Sequence, residues 1–300
     1  MKFWLSLVSV MEVDQLIPIA KYAEELGFGG ITCADHLVMP TTIKSKYPYT
    51  PDGEVFWPET TPWPDPWVTL ATMGAHTSKI QMMTNIYLAA LRDPFTAAKS
   101  VATAAVFNEG RVACGVASGW IKEEYELAGV DFYTRGARLD ELLAVMRKLW
   151  TGERVSHRGE FFNFDARMLP APQRPVPIWC GGGSKPAIRR AAVNDGWLPL
   201  PMTLDQMTEA AEHIRTMRRD VGLTLKGFTI CYPPAEPLTD KFIAGVKKID
   251  IDDLVVIGPW IPTAWESTQM TDPGDDFSQL EVKKKAMKRY AETYISKYAR

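Results

Sequence analysis

The feature that most constrains this chain is a repeat of rhythm rather than of residues. Short apolar runs alternate with longer amphipathic stretches, and turn residues separate the two. Residues 3–8 read as a first strand, followed by a helix over 14–26 that Gly27 ends. Residues 31–33, 80–86 and 112–116 read as the next three strands, and 177–180, 196–200, 228–232 and 254–257 as four more. Asp65-Pro66 and Asp93-Pro94 open helices in the same way: the aspartate can cap, and proline fits the first helical position. Thr203 and Gln206 have the spacing of a capping box, and a final helix is expected over 277–298.

Strands that alternate with helices imply right-handed crossovers and a parallel sheet. About eight such units in 300 residues predict an α/β fold closed into a (β/α)8 barrel, a TIM barrel, as one domain over 1–300. An open doubly wound sheet is the competitor, weakened because no strand is followed by GxGxxG. Insertions are expected after the second and fourth strands. The first, 35–65, leads through a stretch with seven prolines from Pro40 to Pro66, and carries Tyr47, Tyr49, Phe56, Trp57 and Trp63. The second, 122–175, holds extra helices and a hairpin around 157–164.

Composition narrows the partners. A net charge of −2 gives no general reason to bind nucleic acid or an anionic membrane. With 46% hydrophobic and 23% charged residues the chain can bury a large core, which excludes disordered, collagen-like and coiled-coil readings. Cys33, Cys114, Cys180 and Cys231 lie far apart in apolar runs and are expected as buried, reduced thiols. His36, His76, His157 and His213 have no HExxH or H-x3–5-H spacing, so no metal site is expected. Residues 1–11 are apolar but soon meet Glu12 and Asp14, too short for a membrane span and poor as a signal peptide. A cytoplasmic protein acting on a small molecule is the expectation.

In a parallel barrel the chemistry gathers at the C-terminal ends of the strands. Asp35 and His36 follow the second strand, Asn85, Ile86 and Leu88 the third, and Ala117, Ser118, Gly119 and Trp120 the fourth. The fifth is followed by Gly181, Gly182, Gly183 and Ser184, the eighth by Trp260 and Trp265. Glycines let a backbone approach a phosphate, and free N–H groups at a helix start attract anions. The same run equally suits a tight turn with Ser184 as the helix cap. His36 is the one histidine expected at this face, able to act as acid or base or to bond a cofactor ring. Asp35 could orient it or cap the next turn. His76 is expected to close a helix, His157 and His213 to lie on the surface. Ser118 lies outside a GxSxG elbow, and Glu123 with Glu124 is a weak glycosidase pair. Trp57, Trp63, Trp120, Trp260 and Trp265 suggest an apolar or aromatic substrate, or else packing within long loops.

These stretches resemble the luciferase-like monooxygenase superfamily, in its branch of probable coenzyme F420-dependent oxidoreductases. The resemblance rests on ADHLVMP (34–40), the tyrosines at 47 and 49, and RDPFTAAKSVATAAVFNEGRVACGVASGW (92–120). It continues through EEYELAGVDFYTRGARLDE (123–141), PVPIWCGGGSKPAIRRAA (175–192) and DGWLP (195–199), in the family's order. It implies a (β/α)8 barrel with F420, or alternatively FMN, in its mouth, and a non-proline cis peptide at Asn85-Ile86. It further implies that His36 lies near the ring, that Ser118 and Gly119 line it, and that 181–184 receives its phosphate side chain. Sugar-phosphate dehydrogenase relatives place a glutamate after the fourth-strand glycine and a tryptophan shortly past the histidine. Here those places hold Trp120 and the run Leu37, Val38, Met39, Pro40, which implies a more apolar site. The expected activity is hydride transfer between F420 and an apolar molecule. An FMN-dependent two-component monooxygenase is the alternative, a non-catalytic flavin-binding protein the third reading. A homodimer is implied by resemblance alone.

Overall fold

A computed structural model describes residues 1–50, 52–261 and 267–299. Eight parallel strands close into a barrel: β1 (Lys2–Leu7), β2 (Gly30–Cys33), β3 (Gln81–Thr84), β4 (Val112–Val116), β7 (Ile178–Gly181), β8 (Gly196–Leu198), β9 (Thr229–Tyr232) and β10 (Asp253–Ile257). Each pairs with its neighbour in chain order, and β10 returns to β1. The two remaining strands, β5 (Val155–Arg158) and β6 (Asn163–Ala166), form the expected hairpin. The long helices are α1 (Leu16–Glu25), α2 (Pro66–Ala75), α3 (Pro94–Phe107), α5 (Arg135–Leu149), α6 (Lys185–Ala192), α7 (Leu204–Asp220), α8 (Asp240–Lys248) and α10 (Leu280–Tyr290). Short α4 (Lys122–Leu127) follows β4, and short α9 (Ser267–Met270) precedes α10.

The helix starts follow the local chemistry. Asp65 accepts hydrogen bonds from the Trp67 and Val68 N–H groups, and Asp93 from those of Phe95 and Thr96, each with proline in the first turn. Thr203 and Gln206 complete their capping box. His76 sits at the C-terminal cap of α2. The last helix starts later than expected: α10 begins at Leu280, then passes through a π turn (Ala291–Ile295) before α11 (Ser296–Tyr298).

Two indoles plug the barrel's interior, and glycines make room for them. Trp4 lies opposite Gly30, where a Cβ would fall 2.1 Å from the indole. Trp179 lies opposite Gly196, where a Cβ would fall 2.7 Å away. The two rings meet edge to face at 5.5 Å, and Met83, Ala113, Leu198, Cys231 and Val255 complete the layer. Because inward positions recur every second residue, the next layer toward the C-terminal ends is fixed: Ser6, Asn85, Gly115, Gly181, Leu200, Pro233 and Ile257. Several of these are small. A closed floor with a hollow above it is the result.

The four cysteines are buried and unpaired. Burial pushes the Cys33 and Cys180 thiols up to about 12, so neither is a ready nucleophile. No helix among the described residues is long and apolar enough to cross a membrane.

Candidate active site

The hollow is a cavity of about 760 Å³, within the usual range for small-molecule sites. Its wall takes residues from the C-terminal ends of all eight barrel strands and from the insertion after β2. Of the residues expected here it is lined by Asp35, His36, Trp57, Trp63, Asn85, Ile86, Gly119, Trp120, Gly181 and Gly182. The Asn85-Ile86 peptide is cis.

Among the described residues His36 is the only imidazole on the wall. Its Nδ1 lies 3.0 Å from Oε2 of Glu124, a buried carboxylate in the first turn of α4. The other Glu124 oxygen accepts the Leu37 N–H at 2.7 Å and the Val38 N–H at 3.4 Å. Glu123, its neighbour, accepts the Lys44 and Ser45 N–H groups and the Ser45 hydroxyl. The two glutamates are therefore not a hydrolytic pair. They tie the insertion after β2 to the loop after β4 and hold an aromatic lid over the cavity. In that lid Tyr47 meets Trp57 at 5.2 Å and Trp120 at 5.1 Å, while Trp63 packs against His36 at 4.8 Å, all edge to face. Burial, with help from Tyr49, pushes the Tyr47 phenol up to about 12, so it stays neutral through the physiological range.

Asp35 does not orient His36, nor does it cap the following turn. Its carboxylate takes a two-pronged bond from Arg92, at 2.8 and 2.9 Å, and accepts the Leu88 N–H at 2.9 Å. The Arg92 guanidinium also lies 4.5 Å over the Tyr87 ring. Burial pushes the Asp35 carboxyl up while Arg92 pulls it down. This pair fixes the chain after β2 against the chain after β3, around the cis peptide, and leaves the carboxylate no free face for acid–base work. Arg92 was legible in principle: an arginine among Leu88, Ala89, Ala90 and Leu91 needs a buried carboxylate.

The glycine run divides. Gly181 ends β7, and a Cβ there would lie 2.9 Å from the Ile86 side chain, so only glycine keeps this wall flat. Gly182 holds φ at +108°. Gly183 and Ser184 lie outside the cavity lining and are exposed, with Ser184 capping α6 through the Ala187 N–H. Ser118 is also off the wall; its carbonyl accepts the Tyr125 hydroxyl at 2.7 Å. Trp260 is no lining residue either. It is buried in the main core, folded back on Gly258, where a Cβ would fall 2.7 Å from the indole. Trp265 lies outside the described residues. His157, expected on the surface, is largely buried beside Glu141, whereas His213 is exposed as expected. Among the described residues no group of three metal-ligating side chains gathers.

A family model described as luciferase-like monooxygenase matches residues 4–246. The chain belongs to that family. Family members related to it include an uncharacterized protein of Mycobacterium tuberculosis, 32% identical over 284 residues, 94% of each chain. An F420-dependent glucose-6-phosphate dehydrogenase of Nakamurella multipartita is 32% identical over 190 residues, 62% of this chain and 51% of its own. Two solved structures share the barrel. Monooxygenase RslO1 from Streptomyces bottropensis superposes with a TM-score of 0.73 at 18% identity, covering 100% of each chain. The coenzyme F420-dependent tetrahydromethanopterin reductase of Methanopyrus kandleri superposes with 0.70 at 14%, covering 99% of each.

Proposed function

We propose that this family member is an F420-dependent oxidoreductase acting on an apolar small molecule. The observation that carries the reading is one cavity that combines a single held imidazole, a flat wall made by Ile86 and Gly181, and a lid of aromatic rings. A planar ring fits between those walls, and the exposed turn at Gly183 and Ser184, at the N-terminus of α6, suits a phosphate side chain. F420-dependent dehydrogenases among the similar proteins favour the deazaflavin over FMN. When bound, a deazaflavin would supply or accept a hydride at its C5.

The chain's own residues would do the rest. Trp57, Trp63 and Trp120 enclose the substrate against the ring and exclude water, so that positioning supplies most of the rate. Nε2 of His36 makes no hydrogen bond among the described residues and is the group able to take or give the proton that accompanies hydride transfer to a C=O or C=N. The lid tyrosines remain neutral and offer hydrogen bonds rather than charge.

Equilibrium dialysis of the purified protein against F420 and FMN tests this. Binding of F420 well above that of FMN is expected. FMN binding without affinity for F420, with oxygen consumed when reduced FMN is added, would move the assignment to a two-component monooxygenase. RslO1's similarity over the whole chain makes that the second reading.

A further inference from the structure

We propose that Glu124 is a positioning residue that fixes the neutral His36 ring as the tautomer protonated on Nδ1, leaving Nε2 bare toward the cavity. Backbone amides can only donate. The Leu37 and Val38 N–H groups therefore make Oε1 of Glu124 an acceptor and stabilise the carboxylate as an anion. An ionised carboxylate has no proton to give, so the 3.0 Å contact between Oε2 and Nδ1 is a bond that the imidazole donates. Among the described residues no other acid competes for the ring: Asp35, the adjacent carboxylate, is taken by Arg92 and the Leu88 N–H. The ring's aromatic neighbours among the described residues are Trp57, tilted at 6.1 Å, and Trp63, edge to face at 4.8 Å.

The carboxylate is itself locked. Glu124 is almost wholly buried, and its two oxygens serve consecutive residues of one segment, Oε2 the His36 ring and Oε1 the Leu37 and Val38 N–H groups, so rotating one contact away breaks the other. The bonds to Leu37 and Val38 also hold the backbone directly after His36, which fixes the ring's origin as well as its direction. The tautomer follows from the protein alone, whichever cofactor the cavity takes. Its use in moving a proton rests on the function proposed above.

Replacing Glu124 by glutamine gives a sharp consequence. The amide must keep its oxygen on the two backbone N–H groups, which turns its NH2 toward Nδ1. That amide can only donate, so the ring must become an acceptor at Nδ1 and carry its proton on Nε2 instead. The tautomer inverts with little change of shape.

The test is nitrogen NMR of full-length protein labelled at histidine nitrogen, at a pH where the ring is neutral, with His36 signals assigned by their loss in His36→Asn. A protonated Nδ1 and bare Nε2 are expected in the native protein, the reverse in Glu124→Gln, and the native pattern in Glu123→Gln, which disturbs the lid but not the ring. A native spectrum with the proton on Nε2, or a Glu124→Gln spectrum unchanged from native, overturns the assignment. The native spectrum decides even where the glutamine variant does not fold. F420 binding measured on the same sample keeps the two questions apart: its absence counts against the proposed cofactor, while the ring signals still decide the tautomer.

Discussion

The molecule holds two histidine–glutamate pairs built alike and placed differently. His36 meets Glu124 at 3.0 Å, His157 meets Glu141 at 3.0 Å, and both imidazoles are 10% exposed. Both glutamates also gather backbone N–H groups: Glu124 those of Leu37 and Val38, Glu141 those of Glu160, Phe161 and Phe162. The first pair joins the segment after β2 to α4, and the second joins the β5–β6 hairpin to α5. The difference lies in the remaining ring nitrogen. His157 bonds Glu141 through Nε2, with Nδ1 3.4 Å from the Lys148 ammonium, in a hairpin away from the cavity. His36 lines the cavity, and its Nε2 makes no hydrogen bond among the described residues. A charged or hydrogen-bonded histidine is thus no sign of function by itself; the space in front of it is.

The largest expected effect separates the pairs by chemistry. His36→Ala should lower turnover of a substrate the native protein reduces by about 10²- to 10⁴-fold, the usual yield of a positioned acid–base group. His157→Ala should leave that turnover within about 2-fold, since its ring touches no cavity residue. Steady-state rates of both variants with reduced F420 check this, and equal losses would erase the distinction.

The next effect separates them by stability. Glu141→Ala removes the acceptor for three N–H groups and one imidazole at the turn between β5 and β6. A loss of about 1–3 kcal/mol is expected, with a thermal midpoint several degrees lower. F420 binding should be retained, which thermal unfolding and dialysis together report.

The smallest effect is one of pH. Burial works to raise the Glu141 carboxyl, but hydrogen bonds from Phe161, His157, Phe162 and Glu160 outweigh it and hold the group below its ordinary 4.5. Burial is likewise outweighed at Glu123, by the Ser45 hydroxyl and the Lys44 and Ser45 N–H groups. A depressed carboxyl contributes stability that is complete above the ordinary value and is lost as pH falls through the folded one. Protection of the amides at residues 44–45 and 160–162 from exchange, relative to the intrinsic rate at each pH, should accordingly fall only below about pH 4.5, in both insertions together. Loosening of either insertion between pH 5 and 7 would contradict this.

What could be read in the sequence was whatever chain-local chemistry dictates. Alternating apolar runs produced the eight barrel strands, and Asp-Pro pairs at 65–66 and 93–94 became capped helix starts. The cavity position of His36 followed from its place at the C-terminal end of the second strand, while the cis peptide at Asn85-Ile86 came through resemblance. The partners of the site's charges were not legible. Asp35 finds Arg92 57 residues on, and His36 finds Glu124 88 residues on, pairings that exist only once the barrel closes. Adjacency in sequence suggested Asp35 for His36, and the fold supplied another carboxylate. Trp260 and Trp57 illustrate the same limit: both follow a barrel strand, yet one folds back on Gly258 and the other is carried over the cavity by a proline-rich insertion.

The proposed function requires the hollow above Trp4 and Trp179 to seat a flat redox ring beside His36. A crystal structure of the protein grown with F420 tests it most directly. The tricyclic ring is expected between Nε2 of His36 and the Asn85-Ile86 wall, with its phosphate chain leaving past Gly182 toward Ser184. A ring bound elsewhere, with the hollow filled by Trp57 and Trp63, would contradict it.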